Sequence, residues 1–516
     1  MKKYSIIIAL IAATSSIFAQ NPSDQFWHLA PNSSKINSGV GLEEAKAMMK
    51  DKKPTTIVVA VADAGVDVYH PDLKNRLWTN KGEIAGNGID DDGNGYKDDV
   101  YGWNFIGGTI EDNLEVTREY RRLKPIYEGN TDAQERNPMD YAKYLTVKKD
   151  FLDNSVNATL YFEAYEGLKL GMDFLAESYG EDMTIAELEA HQSKSKFEES
   201  AKQVLLSNSK KRPLNFTAMR EGLNGGYEHF KQQAKYNYNV DFDPRPENVG
   251  DDYADVTNRF YGNDSVYYGE HSSHGTHVAG IIAADASNDF GAQGICQSCE
   301  IMSIRNVPDG DERDKDVANG ILYAVDNGAK IVNMSFGKGY VYNVDVVNEA
   351  IKYAESKGVL LVHAAGNSNQ DNDITDNFPK NFDASNNWIE VGALSWKKKP
   401  NKIAEFSNYG QKEVDLFAPG VAIYSTTPEN NYEAFDGTSM ASPVVAGVAG
   451  FVWSYYPNLT AAELREILLQ SAIPIKGRQR IPGQKKKVNV RTLSKTGAEI
   501  NLPAALKLAE LDLNKP

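Results

Sequence analysis

Thr56-Ile-Val-Val-Ala-Val-Ala-Asp63 is the stretch on which the fold turns. Its apolar residues run without a polar break. An exposed sheet face would alternate, so this strand is buried on both faces, as in a parallel sheet covered by helices. Runs of the same kind recur at 301–305, 330–334, 359–364, 389–394 and 414–417. Between them, 314–327 sets Val317, Ile321, Ala324 and Val325 at helical spacing, and 344–356 does the same with Val347, Ala350, Ile351 and Ala354. Strands and helices alternating at these lengths predict an α/β fold with a doubly wound parallel sheet. Sites in such sheets gather at the carboxyl ends of the strands, where Asp63 stands.

The rhythm stops between about 111 and 260. This segment is charged, rich in Tyr, Lys and Glu, and reads as helical, with Leu188, Phe197, Ala201 and Leu205 on one partly apolar helix face. A structureless loop of that length is unusual, so it is read as a helical insertion. It lies within an α/β domain spanning 54–475. An N-terminal extension (20–53, helical from Gly41) precedes that domain, and a tail (476–516) packs on it. At the start, Lys2 and Lys3 lead into an apolar run from Ser5 to Phe18, followed by Ala19. The run is too short to span a bilayer and suits a signal peptide, residues 1–19. The mature protein is expected outside the cytoplasm, secreted or periplasmic, with no membrane span. The 35 or so residues between that cleavage point and the first strand are too few for an ordinary folded pro-domain.

Lys plus Arg number 55 and Asp plus Glu 71, a net charge of −16. That balance argues against nucleic acid as the main partner, since phosphate binding needs a basic surface. The acidity serves solubility and is compatible with calcium binding.

Three motifs then occur in order: Asp63-Ala-Gly-Val-Asp-Val-Tyr-His-Pro-Asp-Leu73, His274-Gly-Thr-His-Val-Ala-Gly280 and Gly437-Thr-Ser-Met-Ala-Ser-Pro443. A serine hydroxyl is a weak nucleophile until a base takes its proton. His274 is the candidate base for Ser439, and Asp63 the group that holds its tautomer. Val362-His-Ala-Ala-Gly-Asn367 adds a side-chain amide. With the Ser439 backbone N–H it would face a developing oxyanion. Each residue alone has an ordinary explanation, Ser439 as a helix cap and Asp63 as a turn former. The ordered set carries the chemistry. His277 reads as a packing residue, and Ala441 removes the second glycine of an α/β-hydrolase elbow.

At these places the chain resembles the subtilisin-like serine peptidases, whose triad has this order. The resemblance covers roughly 54–110 and 261–475. It implies an endopeptidase acting on peptide or protein substrates through an acyl-enzyme on Ser439, with Asn367 as oxyanion donor. It also implies that Ser335, Phe336 and Gly337 pair with the substrate main chain. Ala364, Ala365 and Gly366 would form the facing wall of the specificity pocket, with Asn377-Phe-Pro379 at its border. Ala64 departs from the Ser or Thr usual in the family and removes a hydroxyl near Asp63. Two rivals stand beside this reading: a silent peptide-binding member, and a structural calcium protein.

Asp90, Asp92, Asn94, Gly95 and Asp98 fall at positions one, three, five, six and nine of a calcium loop. Position twelve is Tyr101 instead of Glu, so the loop is not a full EF-hand, and a solvated acidic turn is the plain alternative. Asp72 is a second calcium candidate through the resemblance, with Asn288 beside it. The only cysteines, Cys296 and Cys299, read in an exported chain as a small loop disulfide, with free thiols the alternative.

Overall fold

The computed structural model describes residues 25–31, 39–210, 213–288, 290–397 and 401–512. The signal-peptide reading for 1–19 lies outside them. The described chain forms two compact units, 111–243 and the larger one made by the flanking residues up to 110 and from 244 onward.

The larger unit is built on strands β1 (Ile57–Asp63), β2 (Gly102–Asn104), β3 (Cys299–Arg305), β4 (Ile331–Met334), β5 (Leu360–Ala364), β6 (Trp388–Leu394) and β7 (Leu416–Pro419). A hairpin follows, β8 (Ile423–Thr427) with β9 (Asn431–Phe435). The edge strand β10 (Ile473–Pro474), a second hairpin of β11 (Arg478–Arg480) and β12 (Lys487–Asn489), and β13 (Ala498–Glu499) complete the set. The main sheet runs β10-β13-β7-β6-β5-β4-β1-β3-β2. Every pairing in it is parallel except β10 with β13. The doubly wound parallel sheet is therefore as expected from the sequence.

Its two faces divide the strand residues alternately, as the pleat requires. Val59, Val61, Ile301, Ile331 and Val362 pack with Val278 and Ile282 of helix Ser273–Ala283 and with Val444 and Val448 of helix Thr438–Tyr455. Ala60, Ala62, Met302, Ile304 and Met334 face Val317 and Ile321 of helix Asp314–Asp326 and Val347 and Ile351 of helix Val344–Ser356. Helix Thr438–Tyr455 approaches closely because its glycines leave room. A Cβ on Gly450 would lie 2.4 Å from Cys299 Sγ. Cys296 and Cys299 are joined in a disulfide, buried at the entry to β3. The order reverses at β1, with β3 on one side and β4 on the other, and the carboxyl ends of β1 and β4 open there.

The N-terminal extension and the tail belong to the same core. Trp27 donates its indole N–H to the Val421 carbonyl at 3.0 Å, and the Leu502 amide donates to the Val40 carbonyl at 3.0 Å.

The smaller unit is helical throughout: Glu115–Tyr127, Thr131–Arg136, Pro138–Tyr179, Ile185–Ala190, Lys196–Ser209 and Phe216–Gln232. Leu188, Ala201 and Leu205 share its core, but not one helix face. Leu188 sits on a separate helix. The chain breaks at His191–Ser195, where the Ser195 hydroxyl caps the next helix by accepting from Glu198 N. The unit closes at Asp243, short of the boundary at 260 drawn from the sequence. Residues 244–260 pack with the larger unit because Arg245, 4% exposed, pairs with Asp316 at 2.8 Å and Asp251 at 2.6 Å.

Candidate active site

Asp63 ends β1 with its carboxylate buried. The Ala64 amide donates to its Oδ1 at 2.8 Å, so a backbone donor serves the carboxylate where the side chain offers none. His274 lies in the first turn of helix Ser273–Ala283, and its Nδ1 is 2.8 and 3.0 Å from the two Asp63 oxygens. Gly275 makes that approach possible, since a Cβ there would come within 2.2 Å of the Gly65 carbonyl oxygen. Desolvation opposes charging the His274 imidazole, but the charge and hydrogen bond of Asp63 outweigh it, and its pKa lies above the ordinary histidine value. Its side chain keeps 40% of its surface in solvent. His277, one turn on, stacks on Phe435 with ring centroids 4.2 Å apart and meets the Glu433 carbonyl at 3.1 Å. Burial drops its pKa to about 3, which keeps it neutral and away from proton transfer.

Ser439 is the second residue of helix Thr438–Tyr455. Its hydroxyl donates to the Ser335 carbonyl at 3.0 Å, and among the described residues it makes no hydrogen bond to His274. A contact of that kind is often loose in ligand-free sites and tightens in the complex. The Ser335 hydroxyl donates to the Ser439 carbonyl at 2.9 Å, and the Asn333 side chain donates to it at 2.9 Å. The end of β4 is thereby tied to the start of the helix.

Asn367 presents a directed amide. The Thr438 N–H lies 2.8 Å from its Oδ1, and the Thr438 hydroxyl 2.9 Å. A backbone N–H can only donate, so that atom is the oxygen and Nδ2 is turned the other way. Ser439 N and Asn367 Nδ2 flank one spot: a Cβ built on Gly437 would lie 3.5 and 3.6 Å from them. A cleft of about 320 Å³ adjoins them, with Ser335, Phe336 and Gly337 on its lining together with Ala364, Gly366 and Asn367. Ala365 is buried behind that wall, its carbonyl accepting from Asn372 at 2.9 Å. Asn377 closes one side by donating to the Ala364 carbonyl at 3.1 Å. The cleft's acidic residues, Asp311, Glu312 and Asp376, were not singled out from sequence. Burial raises the Glu312 pKa well above the carboxylate range.

In the acidic loop, Asp90 and Asp92 come together with Glu83, ligand atoms of the three lying within 4.8 Å of one another. Glu83 was missed because it precedes the loop. Asp98 is not one of the three, and its carboxylate accepts from the Asn87 and Gly88 amides at 3.0 and 2.8 Å. Asn94 uses its amide on Asp92 and Asp99 at 3.3 and 3.0 Å. Asp72 is buried elsewhere, taking hydrogen bonds from Asn288 at 2.6 Å and the Ala292 amide at 2.9 Å.

A sequence profile of the subtilase family matches residues 55–498. The chain belongs to that family, one of serine endopeptidases. It is 38% identical over 207 residues to a thermophilic serine proteinase of Bacillus sp. strain AK1, a match covering 40% of this chain and 48% of that one. It is 36% identical over 208 residues to subtilisin DY of Bacillus licheniformis, covering 40% and 72%. The match thus spans about half the length of the first relative and more of the second. A solved protease of Pseudoalteromonas arctica aligns over 94% of this chain and 97% of its own, at 19% identity and a TM-score of 0.48.

Proposed function

We propose that this protein is an exported serine endopeptidase, with Asp63, His274 and Ser439 as its triad and Asn367 as an oxyanion donor. One observation carries the reading. The imidazole of His274 is held against the buried Asp63 carboxylate at 2.8 Å, on the carboxyl side of the sheet where Ser439 opens its helix. The neutral imidazole takes the Ser439 proton as Oγ attacks the peptide carbonyl, and Asp63 stabilises the imidazolium. The oxyanion is received between Asn367 Nδ2 and Ser439 N–H. The imidazolium then returns its proton to the leaving amine, which departs and leaves the acyl-enzyme. Water, deprotonated by the same base, releases the second product. Ser439 must first turn its hydroxyl from the Ser335 carbonyl towards His274. Substrate would lie along Ser335–Gly337, opposite Ala364–Gly366.

Support for export comes from the charged and apolar N-terminal sequence. No helix among the described residues is long and apolar enough to cross a membrane. A structural calcium ion is the accompanying proposal. Glu83, Asp90 and Asp92 offer clustered hard oxygen donors, which suits that ion, and it would brace the loop and take no part in the reaction. Covalent labelling by a fluorophosphonate tests the enzyme reading. Wild type should label and cleave a peptide library, and Ser439→Ala should do neither. A wild type that fails to label despite its fold would leave a silent peptide-binding member as the better reading.

A further inference from the structure

A second imidazole–carboxylate pair sits behind the cleft. β5 and β6 place His363 and Glu390 in direct register on neighbouring strands. The His363 ring is wholly buried. Its Nδ1 lies 2.9 Å from Glu390 Oε2, and its Nε2 lies 2.8 Å from the backbone carbonyl of Phe336. A carbonyl oxygen can only accept, so Nε2 carries a hydrogen. Glu390 is the partner of the other ring nitrogen, so both nitrogens are engaged and the ring is held with its Nε2 hydrogen on the Phe336 carbonyl. The Trp388 indole N–H donates to the same Glu390 oxygen at 3.0 Å and holds the carboxylate in place. Glu390 is anchored as well through its own amide, which donates to Asp415 at 2.9 Å. Asp415 is in turn satisfied by Arg465 at 3.0 Å and Lys495 at 2.7 Å.

The consequence reaches the cleft through one peptide plane. In a trans peptide the C=O and the following N–H point in opposite directions. With the Phe336 carbonyl drawn inward to His363, the Gly337 N–H is turned outward. Gly337 lines the cleft, and its N–H makes no hydrogen bond among the described residues. The next residue is held separately, Lys338 being paired both ways with Phe378, at 3.0 and 2.8 Å.

We propose that His363, locked by Glu390, is a positioning residue that aims the Gly337 N–H at a carbonyl of the bound peptide. The inference rests on the endopeptidase reading. His363 touches no reacting atom, so its effect belongs in the binding of extended substrates. Chemistry on minimal substrates should be untouched.

The test compares purified full-length His363→Ala, His363→Gln and Glu390→Gln with wild type on two substrates: a tetrapeptide p-nitroanilide and a single-residue ester too short to reach Gly337. His363→Ala is expected to raise KM for the tetrapeptide about tenfold, the worth of one good hydrogen bond, with kcat within about twofold. Ester turnover should stay at the wild-type level. His363→Gln, which keeps a donor near the Nε2 position, should recover most of the loss. Glu390→Gln should raise KM in the same sense, and the double variant Glu390→Gln with His363→Ala should be no worse than His363→Ala alone. An unchanged tetrapeptide KM, or equal losses on both substrates, overturns the proposal. Should His363→Ala be insoluble, His363→Gln and Glu390→Gln still decide: a wild-type tetrapeptide KM in Glu390→Gln overturns it. A wild type inactive on both substrates would instead sink the endopeptidase reading.

Discussion

Gly437→Ala isolates the proposed oxyanion cradle better than removal of either donor. The new Cβ would meet Ser439 N at 3.5 Å, Asn367 Nδ2 at 3.6 Å and Met440 Sδ at 3.6 Å, all ordinary contact distances. The residue has φ 161° and ψ 159°, extended backbone that alanine adopts freely. The fold should therefore accept the methyl group. The reaction should not, because an oxygen must come within about 3 Å of each donor to accept from both, and the methyl carbon fills that approach. Losing one such donor costs about 2.7–4 kcal/mol, or 10²–10³ in kcat. That figure comes from a subtilisin, a relative of this chain, and is borrowed here. Blocking both donors should cost at least as much. The assay is kcat and KM on a chromogenic tetrapeptide, with a melting curve alongside. The expected result is a kcat lower by at least about a hundredfold, with Tm within a degree or so and KM little changed. Asn367→Asp keeps the acceptor for Thr438 but loses the donor, and adding it to Gly437→Ala should cost little more. A Gly437→Ala enzyme with more than about a tenth of wild-type kcat would refute the placement of the oxyanion between these donors.

Three further outcomes can be measured. The acid limb of kcat/KM should have its midpoint above the ordinary histidine value of 6.5, because His274 works as a base only when neutral and Asp63 raises its pKa. A midpoint at or below 6.5 would count against this pairing. Calcium in hundredfold excess over its Kd should add about 2.7 kcal/mol to stability, and Glu83→Gln should reduce the accompanying rise in Tm; equal rises in both proteins would remove Glu83 from the site. Replacing 111–243 by a short Gly/Ser linker should preserve turnover of a small chromogenic peptide, since that segment holds none of the proposed site residues; loss of that turnover in a soluble, folded product would count against the assignment.

What could be read from the sequence divides along physical lines. The central strands announced themselves because burial on both faces demands unbroken apolar runs, and 57–62 has no polar residue to blur the period. Asp63, His274 and Ser439 stood out because they sit in short motifs whose neighbours are constrained too. Gly275 must be small for its helix to approach the Gly65 carbonyl. Glu83 had no such signature. It joins Asp90 and Asp92 only because the turn after Asn80 brings it back, its carboxylate accepting the Asp91 and Asp92 amides at 2.8 and 3.2 Å. The link between His363 and Glu390 was equally silent. Strand register makes it across 27 residues, and nothing in the motif around His363 points to Glu390.

The insertion boundary shows why charge alone misleads. Residues 244–260 are as polar as the segment before them, yet buried Arg245, paired with Asp251 and Asp316, ties them to the larger unit. A buried pair that loses one partner leaves a bare charge behind, which is strongly destabilising. This return of the chain is therefore pinned. The departure is pinned by another arginine. Arg305, 1% exposed, donates to the carbonyls of Gly107 at 2.8 Å and Thr109 at 2.5 Å, and its guanidinium lies 3.9 Å from the centre of the Tyr268 ring. The Asp309 amide closes the same corner on the Ile110 carbonyl at 2.7 Å. Both junctions are thus fixed by residues of the larger unit itself. The helices of 111–243 have their own core, centred on Leu168, Leu175, Leu205 and Leu223. A segment with its own core, leaving and rejoining at clamped points, can differ in sequence and length without disturbing the register of β1 and β3 on which Asp63 depends.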